Sequence, residues 1–173
     1  MKLIKFLTDN NLKLSESEAT TDTSWNTRIA ARAVILDSEG KIALMYVAEY
    51  DIYKLPGGGI DENESLDEAL NREIKEETGC DIEVDSLIGM VIEKRDQWKL
   101  FQVSHCFKTK LKSKGEQNLT KEEKETGFSL YWANDLDEAI KLVKSGKSDR
   151  YDDIYIKNRD SSILEELKSN KDN

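Results

Sequence analysis

Gly57-Gly58-Gly59-Ile60-Asp61-Glu62-Asn63-Glu64-Ser65-Leu66-Asp67-Glu68-Ala69-Leu70-Asn71-Arg72-Glu73-Ile74-Lys75-Glu76-Glu77-Thr78-Gly79-Cys80 is the stretch on which the reading of this chain turns. Ser65 with Glu68 three residues on is a capping-box pair, and Gly79 suits the left-handed residue that ends a helix. The spacing therefore predicts a helix over about 65–78. At about 100° per residue, Ala69, Leu70 and Ile74 fall within roughly 80° of Leu66 and form an inward stripe. Glu68, Asn71 and Lys75 fall opposite, where solvent belongs. Glu73 and Glu77 do not join them: they lie about 20° either side of Leu66, inside the apolar stripe, with Glu76 at its border. A merely solvated acidic face would place its charges on the other side.

The i, i+3, i+4 spacing of Glu73, Glu76 and Glu77 brings three carboxylates to one patch. Their repulsion is relieved by a cation among them or by raised pKa values. Oxygen-only, carboxylate-rich sites suit Mg²⁺, with Mn²⁺ as a substitute, and these ions bind phosphates directly. Arg72 is placed to pair with Glu76 at i+4, and the preceding glycines permit close backbone approach to a ligand. The residues point to a metal–phosphate site. A calcium-binding EF-hand loop starting at Asp61 is excluded, because its sixth and twelfth positions need Gly and Glu and hold Leu66 and Arg72.

Working outward, the apolar runs 27–37 and 41–48 flank the turn signal Ser38-Glu39-Gly40 and read as the two strands of a hairpin. Tyr53-Lys54-Leu55 reads as a short strand halted by Pro56, the only proline. Beyond the helix, 82–93 and 98–111 are strand-like around a turn at Lys94 to Gln97. The stretch 112–126 is charged and loop-like, and Phe128 to Ala133 is a short strand. Asn134 is placed to cap a helix to about Lys144, and a last amphipathic helix covers much of 150–168. Residues 1–26 read as an N-terminal extension with an edge strand and a loop, 27–169 as one domain, and 170–173 as a disordered tail. That order of elements argues for a mixed sheet with helices on its faces.

The length of 173 residues supports one sizeable core. A formal net charge of −9 argues against binding a polymeric nucleic acid. A phosphate-bearing partner is therefore expected to be a small phosphorylated molecule, screened from the acidity by a divalent cation. Cys80, Cys106 and the single histidine, His105, cannot complete a four-ligand zinc site, and His105 reads as structural. The apolar start is too short for a signal peptide, and no run approaches a membrane span. A cytoplasmic protein without a membrane partner is the expectation, and a homodimer is compatible with it.

The quoted segment resembles the Nudix box: Gly, five residues, Glu, seven residues, then Arg-Glu-aliphatic-x-Glu-Glu-x-Gly-aliphatic. Gly58, Glu64, Arg72, Glu73, Ile74, Glu76, Glu77 and Gly79 fit it. Cys80 stands where an aliphatic residue is usual, and a buried Cys acts as a small hydrophobe. The resemblance implies an α/β/α sandwich with a mixed β-sheet and the box as a loop–helix–loop. It implies an Mg²⁺-dependent pyrophosphohydrolase acting on a nucleotide-like compound with a diphosphate linkage. Glu73, Glu76 and Glu77 become the metal ligands, assisted by the carbonyl of Gly58, and Glu73, Glu77 and Arg72 the catalytic set. Glu73 is the position most often proposed as general base, while Glu64 with Arg72 steadies the helix. A further carboxylate arrives from a later loop in many members, which points to Glu122, Glu123 or Glu125.

Arg28 and Arg32 share one face of the 27–37 strand, and either could read a substrate phosphate instead of making a surface ion pair. Trp25, Trp98, Tyr131 and Trp132 could each stack a base, although packing explains such residues more often. The proline that ADP-ribose-acting relatives often carry after the box is missing, as are the signatures of NADH- and coenzyme-A-acting members. The competing reading is a non-catalytic nucleotide-binding module. Such modules usually lose a box carboxylate, and none is lost here.

Overall fold

Strand β2 (Asn26–Leu36) follows β1 (Leu3–Thr8) and carries the organisation of the sheet. The computed structural model describes residues 1–14 and 24–170; the rest of the predicted N-terminal loop, at 15–23, and the predicted tail beyond Asn170 lie outside them. Next come β3 (Ile42–Val47), β4 (Ile52–Lys54), α1 (Leu66–Thr78), β5 (Asp81–Arg95) and β6 (Leu100–Ser113). The chain continues through α2 (Lys121–Glu125), β7 (Phe128–Ala133), α3 (Leu136–Ser145) and α4 (Tyr151–Ser169).

The strands form one mixed sheet in the order β1-β5-β6-β2-β3-β4, with β7 also pairing β3. β5 and β6 are a long antiparallel hairpin, while β1 joins β5, and β2 joins β6, in parallel. The 27–37/41–48 hairpin forms only beside its turn. β2 and β3 share a single paired position, Leu36 with Ile42, and then separate. β3 turns to β4 and β7. The abandoned edge of β2 is taken by residues 56–60: Ala33 N–H donates to Pro56 O (3.1 Å), Ala31 N–H to Gly58 O (2.9 Å), and Ile60 N–H to Ile29 O (3.1 Å). A buried edge must pair its backbone groups, so the glycine-rich stretch is fixed to the sheet centre.

Alternation along β2 feeds two cores. Ala31, Ala33 and Ile35 face one side, where Leu70 and Ile74 of α1 pack with Cys80, Ile82 and Phe107. Val34 faces the other, where α3 and α4 supply Leu136, Ala139, Val143, Tyr155, Ile163, Leu164 and Leu167. The mixed sheet with helices on its faces expected from the order of elements is present, as is the α/β/α layering that the resemblance implies.

α1 begins at Ser65, whose hydroxyl accepts from Glu68 N–H while the Glu68 side chain accepts from Ser65 N–H, and Gly79 closes it at φ 71°. Three local expectations are corrected. The 112–126 stretch is not all loop: Thr120 and Glu123 repeat the capping box and start α2. The cap of α3 is Asp135, because Asp135 accepts from Glu138 N–H (2.8 Å) while Asn134 donates to the Glu138 carboxylate. The turn of the long hairpin falls at 96–99, later than predicted.

Leu164 has no exposed surface and sits where α4 meets the sheet. Leu164→Ala is expected to lower stability by roughly 2–5 kcal/mol, read as a fall in the urea midpoint with little change in slope.

Candidate active site

The carboxylates of α1 take the faces that periodicity assigned to them. Glu77 is buried at 3% exposure beside Ala69, Leu70, Ile74 and Thr78, Glu73 is largely covered, and Glu76 stands at the border. Arg72 organises this face. Its Nε and Nη2 hold the two oxygens of Glu64 at 2.8 Å each, a bidentate fork of the strong charge-assisted kind. Its Nη1 reaches Glu73 (2.9 Å) and Glu76 (3.3 Å), and Nη2 also donates to Gly59 O (3.0 Å). One guanidinium thus joins the start of the box loop to two turns of helix. The fork holds Glu64 down at about 2, helped by Asp61 N–H, which donates to it. Burial pushes Glu73 above its ordinary value against the opposing pull of Arg72.

Glu77 is held from elsewhere. Its Oε2 accepts from Gly57 N–H (2.6 Å) and its Oε1 from Lys54 Nζ (2.9 Å). Gly58 makes room for Glu73: a Cβ on Gly58 would lie 2.2 Å from the Glu73 carboxylate. Gly59 does the same for Arg28, whose Nε would lie 2.9 Å from a Cβ there. The three glutamates line one cleft, but Arg72 and Lys54 divide them. Among the described residues no three His, Cys, Asp or Glu side chains are gathered closely enough to hold an ion. The donors nevertheless suit a hard divalent ion, being all oxygen, with Glu73 lying directly on the Gly58 backbone. The Gly58 carbonyl accepts one bond, from Ala31, which leaves it a second lone pair.

The cleft has a volume of about 900 Å³ and runs from this face to the start of α4. Arg28 and Arg32 both line it, Arg28 exposed and Arg32 buried at 6%. Beyond them lies a buried network that spacing did not reveal. Arg95 donates to Glu93 (2.8 Å) and Asp152 (2.6 Å), Gln102 donates to Glu93, and Arg159 grips Asp160 through Nε (2.7 Å) and Nη2 (3.2 Å). Two buried arginines, Arg95 and Arg159, are thus met by Glu93, Asp152 and Asp160. Arg32 stands apart: its side chain has no hydrogen bond or ion pair among the described residues, and its Nε is enclosed without a partner. Desolvation, with nearby Arg159, draws its guanidinium down to about 10, so it stays charged at neutral pH.

Of the later acids, Glu122 and Glu123 line the cleft and Glu125 does not. Glu123 is engaged in capping α2 and Glu125 pairs with Lys121 at 3.6 Å, whereas Glu122 carries no side-chain partner among the described residues. Trp98 alone of the four aromatic candidates lines the cleft. Trp25 lies beneath Lys94, Trp132 beneath Lys114, and Tyr131 packs edge-on against Tyr53. His105 is not among the lining residues. Lys54, Arg95, Gln102 and Arg159 are cleft residues outside the box, and no motif spacing marks them.

The Glu64–Arg72 fork gives a pH signature. Because Glu64 is depressed in the fold, its stabilisation is complete above the ordinary carboxylate value near 4.5 and is lost as pH falls through about 2. Glu64→Gln should therefore lower the urea midpoint at pH 7, and its gap from the parent should narrow steadily below pH 4.5. A gap independent of pH would show that the fork does not stabilise the fold.

Comparisons with known proteins converge on one family. Residues 26–152 match the NUDIX domain. A Bacillus subtilis (strain 168) protein named "Putative 8-oxo-dGTP diphosphatase" is 37% identical over 60 residues, which is 35% of this chain and 40% of that protein. The chain thus aligns with less than half the length of that relative. Two solved structures share the fold. A NUDIX hydrolase from Nitrosomonas europaea has a TM-score of 0.61 at 19% identity, covering 84% of this chain and 91% of its own. The MutT protein from Methanosarcina mazei Go1 has a TM-score of 0.58 at 17% identity, covering 88% and 100%. With the family match spanning the sheet centre and the box, this chain belongs to the NUDIX family.

Proposed function

We propose that the chain is an Mg²⁺-dependent hydrolase, with Mn²⁺ able to substitute, that cleaves the pyrophosphate linkage of a small nucleoside diphosphate-type compound. The observation that carries this reading is the pairing, in one cleft, of the Glu73–Glu76–Glu77 face with a buried arginine whose side chain has no partner among the described residues. An anionic ligand completes the charge of Arg32, and a divalent ion completes that of the glutamates. The name of the Bacillus subtilis relative supports a nucleotide as the class of substrate.

Glu73, Glu76, Glu77 and the Gly58 carbonyl would hold the ion. An ion held there would supply charge neutralisation at the diphosphate and a lower pKa for the attacking water. Glu73, raised by burial, suits the general base that takes the water's proton. Glu122, whose carboxylate has no partner among the described residues, lies on the α2 side of the cleft and is the second candidate for that proton. Arg72 orients Glu73 and Glu76 while Glu64 fixes Arg72 itself, a supporting contact of the kind that sets ligand geometry. Arg28, seated on Gly59, and Arg32, which also lines the cleft, would hold the phosphate of the substrate.

The deciding experiment is release of phosphate or nucleotide from a panel of nucleoside triphosphates, nucleoside diphosphate sugars, ADP-ribose and dinucleoside polyphosphates. Turnover of at least one compound is expected with Mg²⁺, lost with EDTA and restored by Mn²⁺. Glu77→Gln should lower kcat by at least about a hundredfold, through loss of metal-based charge stabilisation. A panel without any turnover, together with no thermal shift on adding Mg²⁺, would sink the proposal.

Gly58→Ala tests the placement of Glu73 separately. The added methyl group displaces that carboxylate, and a displacement of about 1 Å can cost on the order of a hundredfold in rate. Circular dichroism should stay unchanged while kcat falls by that order; an undiminished kcat would remove Glu73 from the reacting set.

A further inference from the structure

Glu77 is a buried carboxylate whose charge is met by one ammonium. Lys54 Nζ lies 2.9 Å from Oε1, with side-chain exposures of 14% for Lys54 and 4% for Glu77. Lys54 is held there from two sides. It is the last residue of β4, paired with Met45 of β3, and its ammonium lies 4.6 Å from the centre of the Phe128 ring on β7. It has no second anionic partner among the described residues. Gly57 N–H fixes the other oxygen at 2.6 Å, so Glu77 is clamped at both ends. Lys54 also lines the cleft beside Gly57, Gly58 and Glu73.

We infer that Lys54 is the resident counter-ion of Glu77: it shares that carboxylate with the divalent ion and sets the metal affinity of the site. This rests on the reading of Glu77 as a metal ligand. An ion bound to Glu77 at about 2.1 Å stands within a few ångströms of an ammonium already on the same carboxylate. In a largely buried setting that repulsion is weakly screened and lowers the affinity for the metal alone. A diphosphate entering the cleft offsets the extra positive charge, so metal and diphosphate assist one another's binding. Lys54 touches neither water nor phosphorus in this scheme; it is a positioning residue acting through Glu77.

The test is a Mn²⁺ titration followed by electron paramagnetic resonance, on parent, Lys54→Met and Lys54→Arg, each with and without methylenediphosphonate. Lys54→Met keeps the apolar stem and removes the charge. It should bind Mn²⁺ at least about tenfold more tightly than the parent in the absence of the diphosphonate. The enhancement of Mn²⁺ binding by methylenediphosphonate should shrink correspondingly. Lys54→Arg keeps charge and contact and should stay within about threefold of the parent in both measurements, which serves as the check if Lys54→Met does not fold. A merely structural role predicts weaker metal binding in Lys54→Met, so unchanged or weaker binding overturns the inference, as does a tenfold tightening in Lys54→Arg. If the parent itself binds no Mn²⁺, the metal reading of Glu73, Glu76 and Glu77 falls and takes this inference with it. If the parent binds and Lys54→Met does not tighten, only the role of Lys54 falls.

Discussion

A strand that parts from its neighbour must find another partner for its backbone, and β2 does so after a single paired position with β3. The stretch 56–60 takes the vacated edge through three hydrogen bonds at Ala33, Ala31 and Ile29. The other features of the cleft follow from that substitution. It holds Gly57 where its N–H meets Glu77 and lays Gly58 against Glu73. It also seats Gly59 under Arg28 and leaves its carbonyl to Arg72. Glycine is required along this line because side chains from both flanks close over it, and at Gly57, with φ 125°, the backbone itself excludes other residues.

Around this line the charges are apportioned rather than pooled. Arg72 serves Glu64, Glu73 and Glu76, Lys54 serves Glu77, and the Glu93–Arg95–Arg159–Asp160 network is nearly self-contained. A chain with a net charge of −9 thus presents a cleft whose uncommitted buried charge is positive. The global acidity says little about local potential here, because most of the acids are not buried.

The helix of the box was legible from sequence to its caps, since capping boxes, left-handed glycines and 3.6-residue periodicity are local properties. The inward placement of Glu73 and Glu77 came from the same periodicity. The hairpin at 27–48 was misjudged because an apolar run looks the same whichever strand it pairs with, and β2 changes partners midway. The short helix α2 carried a readable signal in Thr120 and Glu123, masked by the surrounding charge. Lys54 and the Arg95–Glu93–Arg159 network were not legible, because they act across the sheet between residues far apart in the chain. The default of surface ion pairing for Arg32 failed for a related reason: burial by α4 is invisible from within β2.

α4 has a further hold on the site. Asp160, gripped by Arg159, accepts the N–H of Leu55 at 2.8 Å, so a helix on the far side of the sheet fixes the residue just before Pro56 and the glycines. The matched family segment ends at residue 152, the second residue of that helix. The matched segment therefore stops short of a contact that holds the glycine line. A fragment cut where the resemblance stops would keep every box residue and lose the anchor that holds the glycine line in register.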